Sequence, residues 1–114
     1  MLNEAKRKGD ADTKDIKVPT NQHHIVAKRS PYAEEARNIL LANNICPFTD
    51  QDNIVTVSTK MHQYMHNKVY FYVVNLIIKT ASDCPYWSQE DNIRGALRLI
   101  KMIITLIDSN TAEE

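Results

Sequence analysis

Two histidines stand four residues apart in the stretch Met61-His62-Gln63-Tyr64-Met65-His66-Asn67-Lys68-Val69-Tyr70. Positions i and i+4 of a helix lie on one face, one turn apart. The imidazoles of His62 and His66 can therefore converge on one point, as the ligands of a metal ion do. The chain has only two other histidines, the adjacent pair His23 and His24. Every histidine thus belongs to one of two tight groups, and the rest of the chain can be read as the scaffold that brings them together.

The composition is that of one ordinary globular domain. Of the 114 residues, 43% are hydrophobic and 25% are charged, which is typical of a chain that buries a modest core. The formal net charge is zero, whereas phosphate-binding proteins usually carry a basic excess. Residues 18–80 nevertheless hold six basic and four acidic side chains, a net charge of +2. We expect no membrane span and no signal peptide, because no apolar run is long enough for either.

The ends of the chain and its two cysteines are less informative. Residues 1–17 are polar, mixed in charge and without periodicity, so we expect a flexible linker or leader there and a folded domain over 18–114. Cys46 and Cys84 have no partner at metal-site spacing. They permit one disulfide without requiring it, and we interpret them as two small apolar residues.

The first half of the domain predicts a strand, a helix and a second strand. His23-His24-Ile25-Val26 is short and contains β-branched residues, which is typical of a strand. Ser30 and Pro31 suit the N-cap and first position of a helix that should end near Asn43-Asn44. After a loop, Asn53-Ile54-Val55-Thr56-Val57 is the clearest strand of the chain.

The second half predicts two helices. Ser58 should cap a long helix that runs to about Thr80 and carries His62 and His66. Its predicted buried stripe is Met61, Met65, Val69, Val73, Leu76, Ile77 and Thr80. Ser88 should cap a last helix that ends near Asp108. The predicted core face of this helix is Ile93, Ala96, Leu97, Ile100, Ile104 and Ile107, and its outer face carries Arg94, Arg98 and Lys101, which we interpret as a solvated stripe.

This order of elements, with His-His on the first strand and His-x-x-x-His on the helix, resembles the HNH or ββα-metal endonucleases of the ENDO VII superfamily. The pattern runs from His23 to Tyr70. The chain is most similar to the AHH branch, which forms toxin domains at the C-termini of large bacterial polymorphic toxins, through His23-His24-Ile25-Val26-Ala27. Gln22 stands where that branch has alanine, and Ile54 where it often has glycine. The resemblance implies an α+β domain, small and mostly helical, built around a ββα-metal motif with an inserted helix and an extra C-terminal helix.

The resemblance also implies a metal site and a general base. His23, His62 and His66 would bind one divalent ion, and His24 would take a proton from water, as in the colicin-type DNases. Adjacent strand residues point to opposite faces, which favours one ligand and one base over two ligands in the pair His23 and His24. Three neutral nitrogen ligands favour Zn or Ni over Mg, which prefers oxygen. Mg as the ion used in the cell stays open.

The remaining site residues also follow from the resemblance. Asn53 would tie the two strands of the motif together, and Tyr70 would orient a ligand or contact phosphate. The candidate contacts to the nucleic-acid backbone are Lys28, Arg29, Lys60 and Lys68. Nothing in the sequence resembles a base-reading helix or a base-stacking module.

The function implied is a metal-dependent endonuclease that hydrolyses phosphodiester bonds, acting as a non-specific DNase. It would be the C-terminal toxin of a bacterial competition system such as contact-dependent inhibition, delivered within a larger protein to the target-cell cytoplasm and neutralised in the producer by a cognate immunity protein. Three alternatives stay open. One is an RNase toxin of the same fold, and another is a non-catalytic zinc-stabilised binding domain, in which a fourth ligand should close the site. The third is a helical interaction module whose histidines are incidental.

Overall fold

The computed structural model describes residues 19–112, with side chains described as far as Asn110. Strands β1 (Thr20–His24) and β2 (Ile54–Ser58) pair antiparallel, with His23 opposite Val55. The helices of this part of the chain are α1 (Glu34–Ala42), α2 (Thr59–Tyr64), α3 (Lys68–Asp83) and α4 (Gln89–Ala112), with short 3-10 helices at Pro31–Ala33 and Gln51–Asn53. The predicted small, mostly helical α+β fold is confirmed, with a helix inserted between the strands and a further helix after them. The predicted leader lies outside the described residues.

Strand β1 begins and ends earlier than the predicted strand over residues 23–26. Ile25 and Val26 leave the ladder because both bond to Asn53 instead. The backbone N–H of Ile25 donates to the Asn53 carbonyl at 2.8 Å, and that of Val26 donates to Asn53 Oδ1 at 2.8 Å. Both side chains are nonetheless fully buried, so the apolar pair contributes to the core from an irregular segment.

The predicted long helix is wrong, because the chain forms two helices separated at Met65–Asn67. Ser58 caps the first as expected, accepting from the backbone N–H of Met61 at 3.1 Å. Asn67 then adopts an extended backbone, and its Oδ1 accepts from the N–H of Tyr70 at 2.9 Å. Asparagine is among the strongest N-cap residues, so Asn67 ends the continuity and starts α3.

The break also changes which residues of α3 face the core. Met61 and Met65 are buried as predicted. Beyond the break the buried residues are Phe71, Val74 and Ile78, whereas the side chains predicted to be buried are exposed, among them Val69 at 71%, Val73 at 43%, Leu76 at 53% and Ile77 at 36%. A helix that restarts after a non-helical residue need not keep the rotational phase of the previous one, so the four-residue spacing of the sequence does not continue through the turn.

Helix α4 covers the sheet and holds the segment before β2. Its residues Ile93, Leu97, Ile100 and Ile104 are buried as predicted, whereas Ile107 is 47% exposed. The stripe that we interpreted as solvated instead forms ion pairs and a hydrogen bond. Arg94 pairs with Asp50 at 3.0 Å and with Asp52 at 2.9 Å, and Arg98 pairs with Asp52 at 3.1 Å. Lys101 donates to the Gln51 carbonyl at 3.1 Å. These contacts hold residues 50–52, the segment that leads into β2, against α4.

The far end of α4 holds the other end of β2. The Asp108 carboxylate accepts from the Ser58 backbone N–H at 2.9 Å and from the Ser58 hydroxyl at 2.6 Å. Because the same hydroxyl caps α2, the helix that carries His62 is anchored to α4 through a single serine. Both thiols, Cys46 and Cys84, are free. No helix among residues 19–112 is both long and apolar enough to cross a membrane.

Candidate metal centre

Three histidines from separate elements converge beside the sheet. His23 lies in β1, His62 in α2, and His66 in the turn after α2. His23 Nδ1 lies 3.1 Å from His62 Nδ1, and His62 Nε2 lies 2.9 Å from His66 Nε2. One imidazole nitrogen from each residue can be chosen so that all three lie within 4.8 Å of one another. The structure therefore brings together the three residues predicted as metal ligands.

The electrostatics of this histidine group favour neutral rings for His23 and His62. Burial, with smaller contributions from the charges of His62 and His66, lowers the pKa of His23 to about 4. Burial and the charge of His66 also lower the pKa of His62. A neutral imidazole has one N–H donor and one acceptor nitrogen, so the chain of contacts from His23 through His62 to His66 can form without protonation. A neutral imidazole is also the form that binds a metal.

The donor set fits a divalent ion with a nitrogen preference. The three imidazole nitrogens, one per residue, lie within 4.8 Å of one another, and small side-chain adjustments would bring them to the roughly 3.3 Å that separates ligand nitrogens in a tetrahedral zinc site. His23 Nε2 is buried and has no hydrogen-bond partner among the described residues, which is unusual for a buried polar atom. No cysteine or carboxylate of the described chain joins the three histidines. The group would thus offer three nitrogen ligands to an ion, the number that leaves a fourth position open in catalytic zinc sites.

His24 lies next to the histidine group without joining it. Its Nε2 is 2.9 Å from the carbonyl oxygen of Phe48. Since a carbonyl only accepts, Nε2 carries the proton in the neutral ring, and Nδ1 is the nitrogen with a free lone pair. The contact with Phe48 therefore fixes the tautomer of the neutral His24 ring.

Asn53 is the most completely bonded side chain near the site. It is fully buried. Its Nδ2 donates to the carbonyls of Val26 at 3.1 Å and Pro47 at 2.9 Å, and its Oδ1 accepts from the Val26 N–H. It thereby ties the segment that follows His24 to the segment that precedes β2, just outside the two strands that we expected it to join.

Tyr70 acts on the backbone. Its hydroxyl donates to the Ile25 carbonyl at 2.7 Å, and its ring packs edge-on against His23, with centroids 6.0 Å apart. Burial raises its pKa well above the usual value, so the phenol keeps its proton. Tyr70 therefore packs against His23 and fixes the backbone of the segment that follows His24.

A cavity of about 470 Å³ opens over the histidines. Its lining includes His23, His24, His62 and His66 together with the cations Lys28 and Arg29. The other two predicted nucleic-acid contacts, Lys60 and Lys68, do not line it. Lys68 instead lies over the Tyr32 ring, 5.4 Å from its centroid. The cavity thus places two cations beside the four histidines, where an anion can bind.

Two contributions to the site were not predicted from the sequence. The Phe48 carbonyl is a backbone group, so its contact with His24 could not be predicted from residue type. Arg37 donates to the carbonyls of Ala27 and Ser30, but in the sequence it is one of many helix cations. The Ser30-Pro31 signal did place a helix directly after the basic pair, and this was the only available hint.

No protein-family model, curated protein or solved structure with which we compared the chain matches it.

Proposed function

We propose that this domain is a metal-dependent endonuclease that hydrolyses phosphodiester bonds, with DNA as substrate and without sequence specificity. The observation that carries the proposal is one cavity lined by three converging histidines, by a fourth histidine in the tautomer of a base, and by two cations. Phosphodiester hydrolysis needs those three components: charge stabilisation, a proton acceptor for water, and a means of holding the phosphate.

Each group of site residues has a separate role in the proposed hydrolysis. A divalent ion bound to His23, His62 and His66 would supply positive charge at the phosphate. His24 Nδ1 takes the proton from the attacking water, while the Phe48 carbonyl holds the ring by Nε2. Lys28 and Arg29 attract the anionic backbone into the cavity. The sequence resembles no base-reading helix or base-stacking module, which favours backbone recognition over sequence reading.

The number of ligands separates this proposal from a structural zinc site. Structural zinc is almost always bound by four protein ligands, whereas catalytic zinc keeps an open position. The histidine group has three ligands in the described chain, which supports the catalytic reading. An RNase of the same fold uses the same chemistry, and the choice of DNA rests on the resemblance described above.

The test is cleavage of plasmid DNA and of RNA by purified protein, with a chelator and with added Zn²⁺, Ni²⁺ or Mg²⁺. We expect metal-dependent cleavage of DNA. His24→Ala should keep its metal and melting temperature but lose roughly 10²–10⁴-fold in rate, the usual contribution of a general base. His62→Ala and His66→Ala should lose metal affinity together with activity. Absence of cleavage of either polymer with every ion tested would refute the proposal, and cleavage of RNA alone would change the substrate.

We further propose a biological context, a toxin domain delivered by a larger bacterial protein and neutralised by an immunity protein. The support is the resemblance of His23-His24-Ile25-Val26-Ala27 and the later histidines to toxin domains. Expression of the domain alone in bacteria should be lethal and cause loss of nucleoid DNA, whereas the His24→Ala variant should be tolerated. Normal growth of cells that contain soluble, metal-loaded wild-type protein would contradict this context.

A further inference from the structure

The segment Ile25–Ser30, which follows the base His24, is irregular but tightly held at its start. The Ile25 carbonyl accepts from the Tyr70 hydroxyl at 2.7 Å. Both backbone groups of Val26 bond to the Asn53 side chain, at 2.8 and 3.1 Å. Side chains from two later elements thus fix the path of the chain where it leaves the sheet.

Arg37 fixes the rest of the segment. Its Nη1 donates to the Ala27 carbonyl at 2.9 Å and to the Ser30 carbonyl at 2.7 Å. These two carbonyls bracket Lys28 and Arg29. A guanidinium is always charged and presents rigid donors, so one half-buried side chain of α1 closes the segment into a loop of defined shape.

The two bracketed residues are cations with exposed side chains that line the cavity. Within residues 19–110 neither forms an ion pair. The cavity lining given by the described chain contains no aspartate or glutamate. An arginine can bind a phosphate through two parallel hydrogen bonds. The loop therefore presents positive charge next to the histidines that no acidic side chain of the lining neutralises. Because the backbone of the loop is already fixed, little conformational entropy is lost when a ligand binds to it.

We propose that Ala27–Ser30 is a phosphate-binding loop that holds a backbone phosphate flanking the one at the histidine group, with Arg29 as its main contact and Arg37 as the positioning residue that sets its shape. The inference rests on the proposed function and specifies its substrate: a polynucleotide with at least two phosphates, in preference to a small diester with one. It also gives Arg37, a residue outside the cavity lining, a part in substrate affinity.

The experiment compares Arg29→Gln and Arg37→Gln with the control Lys79→Gln. This control removes the same single charge from an exposed lysine of α3 that does not line the cavity. In a His24→Ala background, fluorescence anisotropy measures the affinity for a labelled DNA duplex at several salt concentrations. We expect Arg29→Gln to weaken binding roughly tenfold and to reduce the salt slope by about 1, as the loss of one phosphate contact does. Arg37→Gln should weaken binding by a similar factor, and Lys79→Gln should leave it unchanged.

Steady-state kinetics then separate positioning from general structural support. With His24 present, Arg37→Gln should raise KM for DNA while kcat, zinc affinity and hydrolysis of bis(p-nitrophenyl) phosphate stay near wild type. That small diester has no flanking phosphate and should not depend on the loop. Equal losses on DNA and on the small diester, or a loss of zinc, would overturn the assignment of Arg37.

The two proposals can fail separately. If the wild-type protein cleaves neither DNA nor RNA, but Arg29→Gln and Arg37→Gln lose affinity for DNA and Lys79→Gln does not, the loop assignment stands and the hydrolase proposal fails. If the wild type cleaves DNA and Arg29→Gln binds as tightly as wild type, the hydrolase proposal stands and the loop assignment is wrong.

Discussion

His23 has the most strongly lowered pKa of the histidines in the described chain. It is 4% exposed, and burial followed by the charges of His62 and His66 lowers its pKa to about 4. The pKa of an unfolded histidine is about 6.5. The folded state therefore disfavours the protonated ring, and acid favours unfolding. The contribution of neutral His23 to stability is complete above about pH 6.5 and is lost as the pH falls from there toward 4.

We expect this loss to be visible in thermal melts of the metal-free protein. In the presence of a chelator, the melting temperature of wild type should fall more steeply between pH 6.5 and 4 than that of His23→Gln, whose side chain does not titrate. Asp52, whose pKa is lowered by hydrogen bonds from Arg98 and Arg94 against an opposing burial effect, is present in both proteins and cancels in the difference. Parallel curves for the two proteins would mean that His23 does not couple protonation to folding.

At the scale of elements, the turn Met65–Asn67 matters most for the site. It ends α2 just before His66 and lets α3 start at a new phase, so that Phe71, Val74 and Ile78 face the core. The turn also leaves His66 Nε2 within 2.9 Å of His62 Nε2. The restart depends on Asn67, which caps α3 and also donates from Nδ2 to the Tyr64 carbonyl.

Asn67→Ala should therefore destabilise the domain and weaken metal binding together. Loss of an N-cap costs about 1 kcal/mol, which corresponds to a fall in melting temperature of roughly 4–8 °C for a domain of this size. Asn67→Asp keeps an oxygen that can accept from Tyr70 and should retain most of the stability. Calorimetry and zinc titration of the two variants provide the measurement. Should Asn67→Ala melt like wild type, the cap is not what restarts α3.

The same turn marks how far the sequence could predict the fold. Strand β2, the caps Ser58 and Ser88 and the core face of α4 as far as Ile104 depend on local signals, and the structure bears them out within a residue or two. The break at Asn67 could not be predicted, because the spacing of Met61, Met65 and Val69 fits one continuous helix. Only the packing of Phe71, Val74 and Ile78 against the rest of the chain makes the alternative phase the better one, and that depends on distant residues.

The histidines were predictable for the opposite reason. The i, i+4 spacing of His62 and His66 survives the change from helix to turn because the chain tightens there: the His66 N–H donates to the Gln63 carbonyl at 3.3 Å, a 3-10-type bond in place of the α-helical bond to His62. His23 joins them through the strand pairing of β1 with β2, which the order of elements anticipated. Arg37 was not predictable, since its role depends on the three-dimensional path of Ala27–Ser30 and not on any local pattern.

At the scale of the whole molecule, the histidine group joins parts of the chain that are far apart in sequence. His23 and His62 are 39 residues apart and lie in β1 and α2. Helix α4 supports both sides of the site, through Arg94 at the segment before β2 and through Asp108 at Ser58. An ion bound by the three histidines would therefore act as a cross-link between the sheet and the helices, and it would stabilise the folded state only.

Zinc should accordingly raise the melting temperature of the domain. A ligand that binds only the folded state at 100 times its Kd adds about 2.7 kcal/mol, equivalent to roughly 10–20 °C for a domain of this size. Addition of a chelator should reverse the shift. His62→Ala removes a half-buried imidazole with little loss of core and should show no zinc response, whereas His24→Ala should respond like wild type, because His24 bonds to Phe48 and not to the histidine group. A zinc response of His62→Ala equal to that of wild type would locate the metal at some other set of residues.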